Sequence, residues 1–151
     1  MIWVSHMLKV KSVKCGTFLC LLKNKALSGG DVRIILLGIP DKYFVYLLTQ
    51  DYAKDLISCG VKVYYMKESF VHSKIVLSDD CTMIGSINLD LRSFFRQYEN
   101  AVCTDDMSVL MDVEQDFEAA FIDSILVTEL TKNSFFKCII IGILRILSPF
   151  M

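Results

Sequence analysis

The sequence predicts an α/β fold in which a mixed β-sheet is flanked by helices. Two patterns carry this prediction: a strand, helix, strand succession from Val32 to Met66, and a hairpin pattern from Lys74 to Gly85. The first pattern is typical of parallel strands joined by a crossover helix, whereas a hairpin pairs its strands antiparallel. A sheet that contains both kinds of pairing is mixed.

The size and charge of the chain limit its function. Its 151 residues suit one domain, and an apolar content of 54% with a mean hydropathy of +0.47 indicates a deeply buried sheet or contact with a membrane. A net charge of −1 disfavours nucleic acid as a partner. The six cysteines form no C-x-x-C pair, so they indicate free thiols in the cytosol rather than a zinc or redox motif.

The first 30 residues form a divergent basic segment. Residues 1–25 contain five lysines and no acidic residue, and apolar residues recur at roughly helical spacing between Cys15 and Ala26. They contain no long uncharged apolar run, so neither a signal peptide nor a membrane span is predicted there. We expect a scaffold helix or a poorly ordered remnant before Gly29, with a basic, membrane-facing helix as the alternative.

The elements of residues 31–130 follow from apolar spacing. The run from Val32 to Leu37 predicts a strand covered on both faces. Apolar residues at intervals of four between positions 42 and 58 predict an amphipathic helix that Gly60 ends. Residues 61–66 then alternate as a strand, which predicts a right-handed parallel unit. The active site would lie at the strand ends.

Three further elements complete the prediction. Residues 101–103 predict a short strand. A helical stripe is expected to face the core, formed by Met107, Leu110, Met111, Phe117 and Phe121. Residues 131–151 contain an apolar helix interrupted by Lys137 and Arg145. We expect this helix to lie at a membrane interface with both cations reaching the headgroups, and packing against the protein is the rival interpretation.

Four polar residues around the hairpin form the candidate site. His72 and Lys74 share one face of a strand, and Ser86 and Asn88 share a face after the returning strand. An imidazole can act as a nucleophile, an ammonium binds a phosphoryl oxygen, and Ser and Asn supply neutral hydrogen bonds. A His-x-Lys pair alone is usually a solvated surface pair, but the Gly-Ser-x-Asn that follows favours a phosphate-binding pocket. No metal is needed for such a site.

These residues carry a family resemblance. His72-x-Lys74 with Asp79, followed by Gly85-Ser86-x-Asn88, resembles the HKD signature of the phospholipase D superfamily. The continuation through residues 88–94 and 98–99 resembles bacterial cardiolipin synthases, and the similarity runs from about Gly29 to the C-terminus. The resemblance implies a phospholipase D-like domain with a single HKD motif and no cofactor. It also implies transfer of a phosphatidyl group between two phosphatidylglycerol molecules through a phosphohistidine, with release of glycerol.

The resemblance also implies a role for each residue. His72 would be the nucleophile, and Asp79 would support the histidine pair or the hairpin. Glu99 would hold the second ring nitrogen of His72; a solvent-facing acid is its alternative interpretation. Phosphate binding would fall to Lys74, Ser86 and Asn88.

The hairpin departs from the family pattern. It is one residue shorter than in the family, so Asp80 is the alternative to Asp79 as the HKD aspartate. Because a slip of one residue turns side chains to the opposite face, either the turn is tightened or Ser86 and Asn88 are wrongly aimed.

The chain resembles only the second of two tandem domains. The leaving glycerol needs a proton from a second HKD motif, which a homodimer or a missing N-terminal half would supply. We therefore expect a phosphatidyltransferase half that acts on phosphatidylglycerol, peripheral to the cytoplasmic side of the cell membrane. The alternatives are a homodimeric single-HKD phosphodiesterase or nuclease, and an inactive truncated remnant.

Overall fold

The computed structural model describes residues 6–10, 18–38, 43–67, 73–88, 98–128 and 135–147. Seven strands and four helices lie within these ranges, and their succession confirms the predicted α/β class. Their bounds in chain order are β1 (His6–Val10), α1 (Phe18–Leu27), β2 (Val32–Leu37), α2 (Tyr43–Ile57), β3 (Lys62–Met66), β4 (Lys74–Leu77), β5 (Thr82–Gly85), β6 (Ala101–Thr104), α3 (Met107–Ile122), β7 (Ser124–Leu126) and α4 (Phe135–Leu147).

The strands form one sheet in the order β6-β5-β4-β1-β2-β3-β7. The pairs β1/β4 and β2/β3 are parallel, and the other four neighbouring pairs are antiparallel. The sheet is therefore mixed, as predicted. Because β2 and β3 are parallel neighbours joined through α2, the predicted parallel unit is also confirmed.

Strand β2 contributes to a core on each face of the sheet. Ile34 and Leu36 pack in the apolar cluster that includes side chains of α1 and α2, whereas Ile35 packs with Leu110 and Phe117 of α3. All five side chains are buried. Successive side chains of a strand point to opposite faces, so an unbroken apolar run is what a strand covered on both faces requires.

Two glycines end helices by the same geometry. Gly29 after α1 and Gly60 after α2 have φ values of 83° and 90°, a left-handed conformation that glycine adopts without strain. After α2, the Gly60 amide donates to the Ile57 carbonyl over 2.9 Å and the Val61 amide donates to the Leu56 carbonyl over 3.2 Å. This is the Schellman arrangement, which satisfies the last helical carbonyls. Strand β3 therefore begins two residues after Gly60, as the sequence pattern indicated.

Strand β1 was not predicted. It lies in the middle of the sheet, parallel to β4 and antiparallel to β2. Its five residues, His-Met-Leu-Lys-Val, are too few for a reliable alternating pattern, and its pairing depends on strands that follow much later in the chain. The predicted helix before Gly29 is present as α1. Since Leu22 is fully buried, α1 packs on the core, as expected of a scaffold helix.

Helix α3 only partly matches the predicted stripe. Leu110 and Phe117 are buried as expected, but Met107 and Met111 are 67% and 57% exposed. Val113 is buried as well, so the side of α3 that packs on the sheet is centred one residue away from the predicted stripe. Apolar spacing identifies a helix. Which side of the helix is buried depends on the angle at which it packs against its neighbour.

Helix α4 packs against α2. Ile141 and Leu144 are buried, and the Arg145 guanidinium bonds Asp51 and Asp55 of α2 at 2.6 and 2.9 Å. One side of α4 therefore packs against the protein, as the rival interpretation expected. Arg145 does not extend toward headgroups as predicted, because two carboxylates of α2 hold it.

The opposite side of α4 is exposed. Ile139, Ile140 and Ile143 are 48%, 43% and 54% exposed. Among the described residues, no helix combines the length and the apolar character that a bilayer crossing needs.

Candidate active site at the strand ends

The β4–β5 hairpin carries the candidate site. Its register pairs Lys74 with Gly85 and Leu77 with Thr82. The turn contains only Asp79 and Asp80 between the hydrogen-bonded Ser78 and Cys81, with Ser78 N donating to the Cys81 carbonyl over 2.8 Å. The Ser78 hydroxyl also accepts from the Cys81 amide over 3.1 Å. Of the two alternatives for the short hairpin, the structure therefore contains the tightened turn.

Ser86 and Glu99 meet where β5 ends and β6 is about to begin. The Ser86 hydroxyl donates to the Glu99 carboxylate over 2.5 Å and accepts from the Asn100 amide over 3.1 Å. The Ser86 amide donates to the Asn100 carbonyl over 2.9 Å, next to the register pair of Gly85 and Ala101. Backbone and side-chain bonds thus hold Ser86 in one place.

Gly85 permits this close approach. A Cβ atom at Gly85 would lie 2.3 Å from the Asn100 carbonyl oxygen and 2.6 Å from the Ala101 Cα, and both of these atoms belong to backbone. Such contacts are too short for any side chain. The glycine of the Gly-Ser-x-Asn motif is therefore required by the fold of the site itself.

Lys74 completes the described part of the site. It begins β4 and is half-buried. Loss of hydration lowers the pKa of the Lys74 ammonium below its ordinary value, and the nearby negative charge of Glu99 opposes that shift. Because a partly dehydrated cation interacts more strongly with an anion than a fully hydrated one does, Lys74 is suited to bind a phosphoryl oxygen.

All of these residues lie at one end of the sheet. Lys74 begins β4, Ser86 follows β5, and Glu99 shortly precedes β6. In the parallel register of β1 and β4, His6 is the partner of Lys74 and so begins its strand at the same end. Sequence reasoning missed this position of His6 because it did not predict β1.

The remaining predicted site residues are placed as follows. Asp79 is exposed in the turn beyond Leu77, at the opposite end of β4 from Lys74. Asn88 is half-buried two residues after Ser86. His72 lies outside the described residues. Within the described ranges, His, Cys, Asp and Glu side chains form no group of three or more that could hold a metal ion.

Comparison with known proteins identifies the family. Residues 4–121 match the family model described as cardiolipin synthase, PLD-like domain. The chain belongs to this family. The match confirms the resemblance drawn from the HKD-type residues, and it begins at residue 4 rather than near Gly29.

Curated relatives of the PLD-like domain support this assignment. The chain is 34% identical over 137 residues to a cardiolipin synthase of Clostridium perfringens and 36% identical over 139 residues to cardiolipin synthase 1 of Bacillus cereus. These alignments cover 86% and 88% of the chain but only 28% and 27% of the relatives. The chain thus spans about a quarter of the length of the curated relatives that it matches.

A solved structure shows the same fold. The phospholipase D family member Nuc from Salmonella typhimurium superposes with a TM-score of 0.65 at 15% identity, covering 85% of this chain and 84% of Nuc. The predicted phospholipase D-like fold is therefore confirmed.

Proposed function

We propose that this PLD-like domain catalyses phosphatidyl transfer of the cardiolipin synthase type, in which two molecules of phosphatidylglycerol give cardiolipin and glycerol. One observation carries the proposal: Lys74, Ser86 and Glu99 converge at one end of the sheet in a chain of this family. A cation and a fixed hydroxyl beside a carboxylate are the groups that a phosphodiester-transfer site needs.

In the first step, a ring nitrogen of His72 attacks the phosphorus of one phosphatidylglycerol. A nitrogen–phosphorus bond forms, the bond from phosphorus to the glycerol oxygen breaks, and glycerol leaves after taking a proton. Lys74 lies two positions after His72, so its ammonium is available to the charge that develops on the phosphoryl oxygens. Asn88 supplies neutral hydrogen bonds to the same oxygens, and Ser86 adds one when its hydroxyl turns from Glu99 to the substrate.

In the second step, the free hydroxyl of another phosphatidylglycerol attacks the phosphohistidine. The nitrogen–phosphorus bond breaks, His72 is regenerated, and the hydroxyl proton passes to a base. Both steps therefore need a group besides His72 that donates and accepts the proton. A second HKD motif would supply this group, either from a homodimer or from an N-terminal half. The greater length of the curated relatives supports an N-terminal half.

Glu99 has two roles in this proposal. Its carboxylate lies beside Ser86 and Lys74, near the start of β4. We propose that it fixes the tautomer of His72 there. Its charge also opposes the lowering of the Lys74 pKa by dehydration. For Asp79 we propose the hairpin role, since its turn lies at the far end of β4 from Lys74.

We propose that the chain lies peripherally on the cytoplasmic side of the membrane, and the exposed isoleucines of α4 support the membrane contact. Ile139, Ile140 and Ile143 leave an apolar surface exposed while Arg145 ties the helix to α2. An apolar surface of this kind can enter the interface of an anionic bilayer that holds the phosphatidylglycerol substrate.

A homodimeric phosphodiesterase is the second candidate function. A domain with a single HKD motif could be completed by a second copy of itself across a two-fold axis, and the fold that the chain shares with Nuc is compatible with this arrangement.

Transfer from labelled phosphatidylglycerol in detergent micelles tests the proposal. The wild type is compared with His72→Ala, Lys74→Ala and the control Lys23→Ala on α1, and light scattering records the oligomeric state of each sample. We expect no cardiolipin from His72→Ala, a loss of about 10²–10³-fold for Lys74→Ala, and wild-type rates for Lys23→Ala.

Each alternative has its own signature in this assay. Hydrolysis of a simple phosphodiester without cardiolipin formation, from a dimer, would support the phosphodiesterase. No product from a folded monomer, even after addition of an N-terminal HKD half, would indicate the inactive remnant. Transfer that survives His72→Ala would overturn the proposed mechanism.

A further inference from the structure

Two cysteines lie on the same face of the β5–β6 pair. In the antiparallel register, Cys103 is the partner of Met83, and Cys81 immediately precedes Thr82. Cys81 and Cys103 are therefore diagonal neighbours, since residues two apart on a strand share a face. The pairing of these strands brings together two thiols that are far apart in the sequence.

The two cysteines are near neighbours. Cys81 affects the titration of Cys103, and the Cys81 sulfur lies 3.3 Å from the Ser78 hydroxyl of the hairpin turn. Diagonal neighbours have Cβ atoms roughly 7 Å apart, so the pair must close by a few ångströms before a disulfide forms.

The surroundings of the pair allow a covalent bond to form. Cys103 is exposed and Cys81 is half-buried, so a small oxidant can reach the pair. In the described part of the chain, β6 pairs with β5 alone and forms an edge of the sheet. An edge strand can shift by the small distance that disulfide geometry requires without disturbing a second neighbour.

We propose that Cys81 and Cys103 are an oxidation site that a peroxide closes to an intramolecular disulfide. The Cys81 thiolate attacks the peroxide and becomes a sulfenic acid, while the peroxide loses its second oxygen as hydroxide or alkoxide. The Cys103 thiol then attacks the sulfenic sulfur, the disulfide bond forms, and water leaves. One peroxide is reduced and two thiols are oxidised, so the electrons balance.

The electrostatics of the pair distinguish the two thiols. Loss of hydration, followed by the neighbouring Cys81 and then Asp105, raises the pKa of the Cys103 thiol above its ordinary value. Because the thiolate is the nucleophile, this shift disfavours Cys103 as the thiol that attacks the peroxide first.

The disulfide would tie β5 to β6 at the end away from the site. Ser86 follows β5 and Glu99 precedes β6 at the opposite end of the same strand pair. The disulfide would thus link covalently the two strands whose other ends carry the hydrogen bond between Ser86 and Glu99. The inference stands on the sheet register and the edge position of β6, and it does not depend on the proposed transferase activity.

Peptide mapping after oxidation tests this site. The full-length protein is treated with equimolar hydrogen peroxide, alkylated, and digested with trypsin without reduction. Arg92 and Arg96 lie between Cys81 and Cys103 in the sequence, so trypsin places the two cysteines in separate peptides. We expect a cross-linked pair of these peptides, lighter by two hydrogens than their sum, at least tenfold more abundant than any cross-link to Cys20, Cys59 or Cys138.

Matched variants make the outcome decisive. Cys138→Ser on α4 should leave the cross-link unchanged, whereas Cys103→Ser should replace it with a sulfenic acid on Cys81 that a dimedone probe labels. Equal alkylation of Cys81 and Cys103 before and after peroxide would overturn the inference. So would a cross-link distribution in which the Cys81–Cys103 pair is no more abundant than the others. Circular dichroism of each variant confirms that the comparison is between folded proteins.

Discussion

The Ser86 hydroxyl donates a hydrogen bond of 2.5 Å to the Glu99 carboxylate. This bond joins the end of β5 to the approach of β6, and the Glu99 charge also acts on Lys74 at the start of β4. The Glu99 carboxylate therefore interacts with both the Ser86 hydroxyl and the half-buried Lys74 ammonium. The consequences of this arrangement can be measured.

Glu99→Gln should lower the pKa of Lys74 further. The substitution keeps the shape of the side chain but removes the negative charge that opposes the effect of dehydration on Lys74. If Lys74 acts as an ammonium, the alkaline limb of the activity profile moves to lower pH in the same variant. NMR titration of the Lys74 side chain measures the shift, with Asp112→Asn on the exposed side of α3 as the charge-matched control. An unchanged Lys74 titration in Glu99→Gln would contradict the assigned contact.

Gly85→Ala should destabilise the protein by about 2 kcal/mol, because the new methyl group overlaps backbone atoms of Asn100 and Ala101 that belong to the sheet. Gly142→Ala in α4 is the matched control, since a Cβ there meets nothing within 4 Å. Alanine at this helical position should stabilise the protein by about 0.5–1 kcal/mol. Denaturant unfolding of both variants measures the two changes, and equal effects would show that the close approach at Gly85 is unimportant.

Asp31 should make the stability depend on acidic pH. Burial raises its pKa, but hydrogen bonds from Lys62 and Arg33 outweigh that effect and hold the pKa below its ordinary value of 3.8. A carboxyl group whose pKa is lowered in the folded state contributes stability above its unfolded pKa and loses it as the pH falls through the folded value.

Asp31→Asn measures this contribution. It should cost up to about 1 kcal/mol at neutral pH, since both partners are partly exposed, and should cost little once the pH lies below the folded pKa. Urea unfolding at a series of pH values checks this result. A difference between the two proteins that stays constant down to the lowest pH would contradict the assignment.

Ile143→Ser should weaken binding to vesicles that contain phosphatidylglycerol by roughly tenfold, because an isoleucine on the exposed side of α4 would no longer enter the bilayer interface. Ile122→Ser on α3 removes an isoleucine that is also exposed, at 79%, but lies on a different helix. Co-sedimentation with vesicles compares the two variants. Equal loss, or no loss, in both would remove α4 as the membrane contact.

Much of the architecture could be predicted from local patterns. The apolar run of β2, the intervals of four in α2 and the glycine at its end each depend on residues close in sequence, and each matches the structure. The family was also predictable, because its motif residues are contiguous around the hairpin.

Other features depend on contacts between distant segments. The partner of Arg145 is one example, since nothing near it in the sequence indicates that Asp51 and Asp55 will hold it. The exposure of Met107 and Met111 is another, because it follows from the angle at which α3 meets the sheet.

The sequence by itself determined the helices, the strands from β2 to β6 and the residue types of the candidate site. Only the tertiary structure decided that β1 lies in the middle of the sheet, that Ser86 and Lys74 share Glu99, and that Cys81 and Cys103 are cross-strand neighbours. The physical reason is that periodicity reports which side of an element is apolar. The residues that cover or face that side come from elsewhere in the chain, and packing alone selects them.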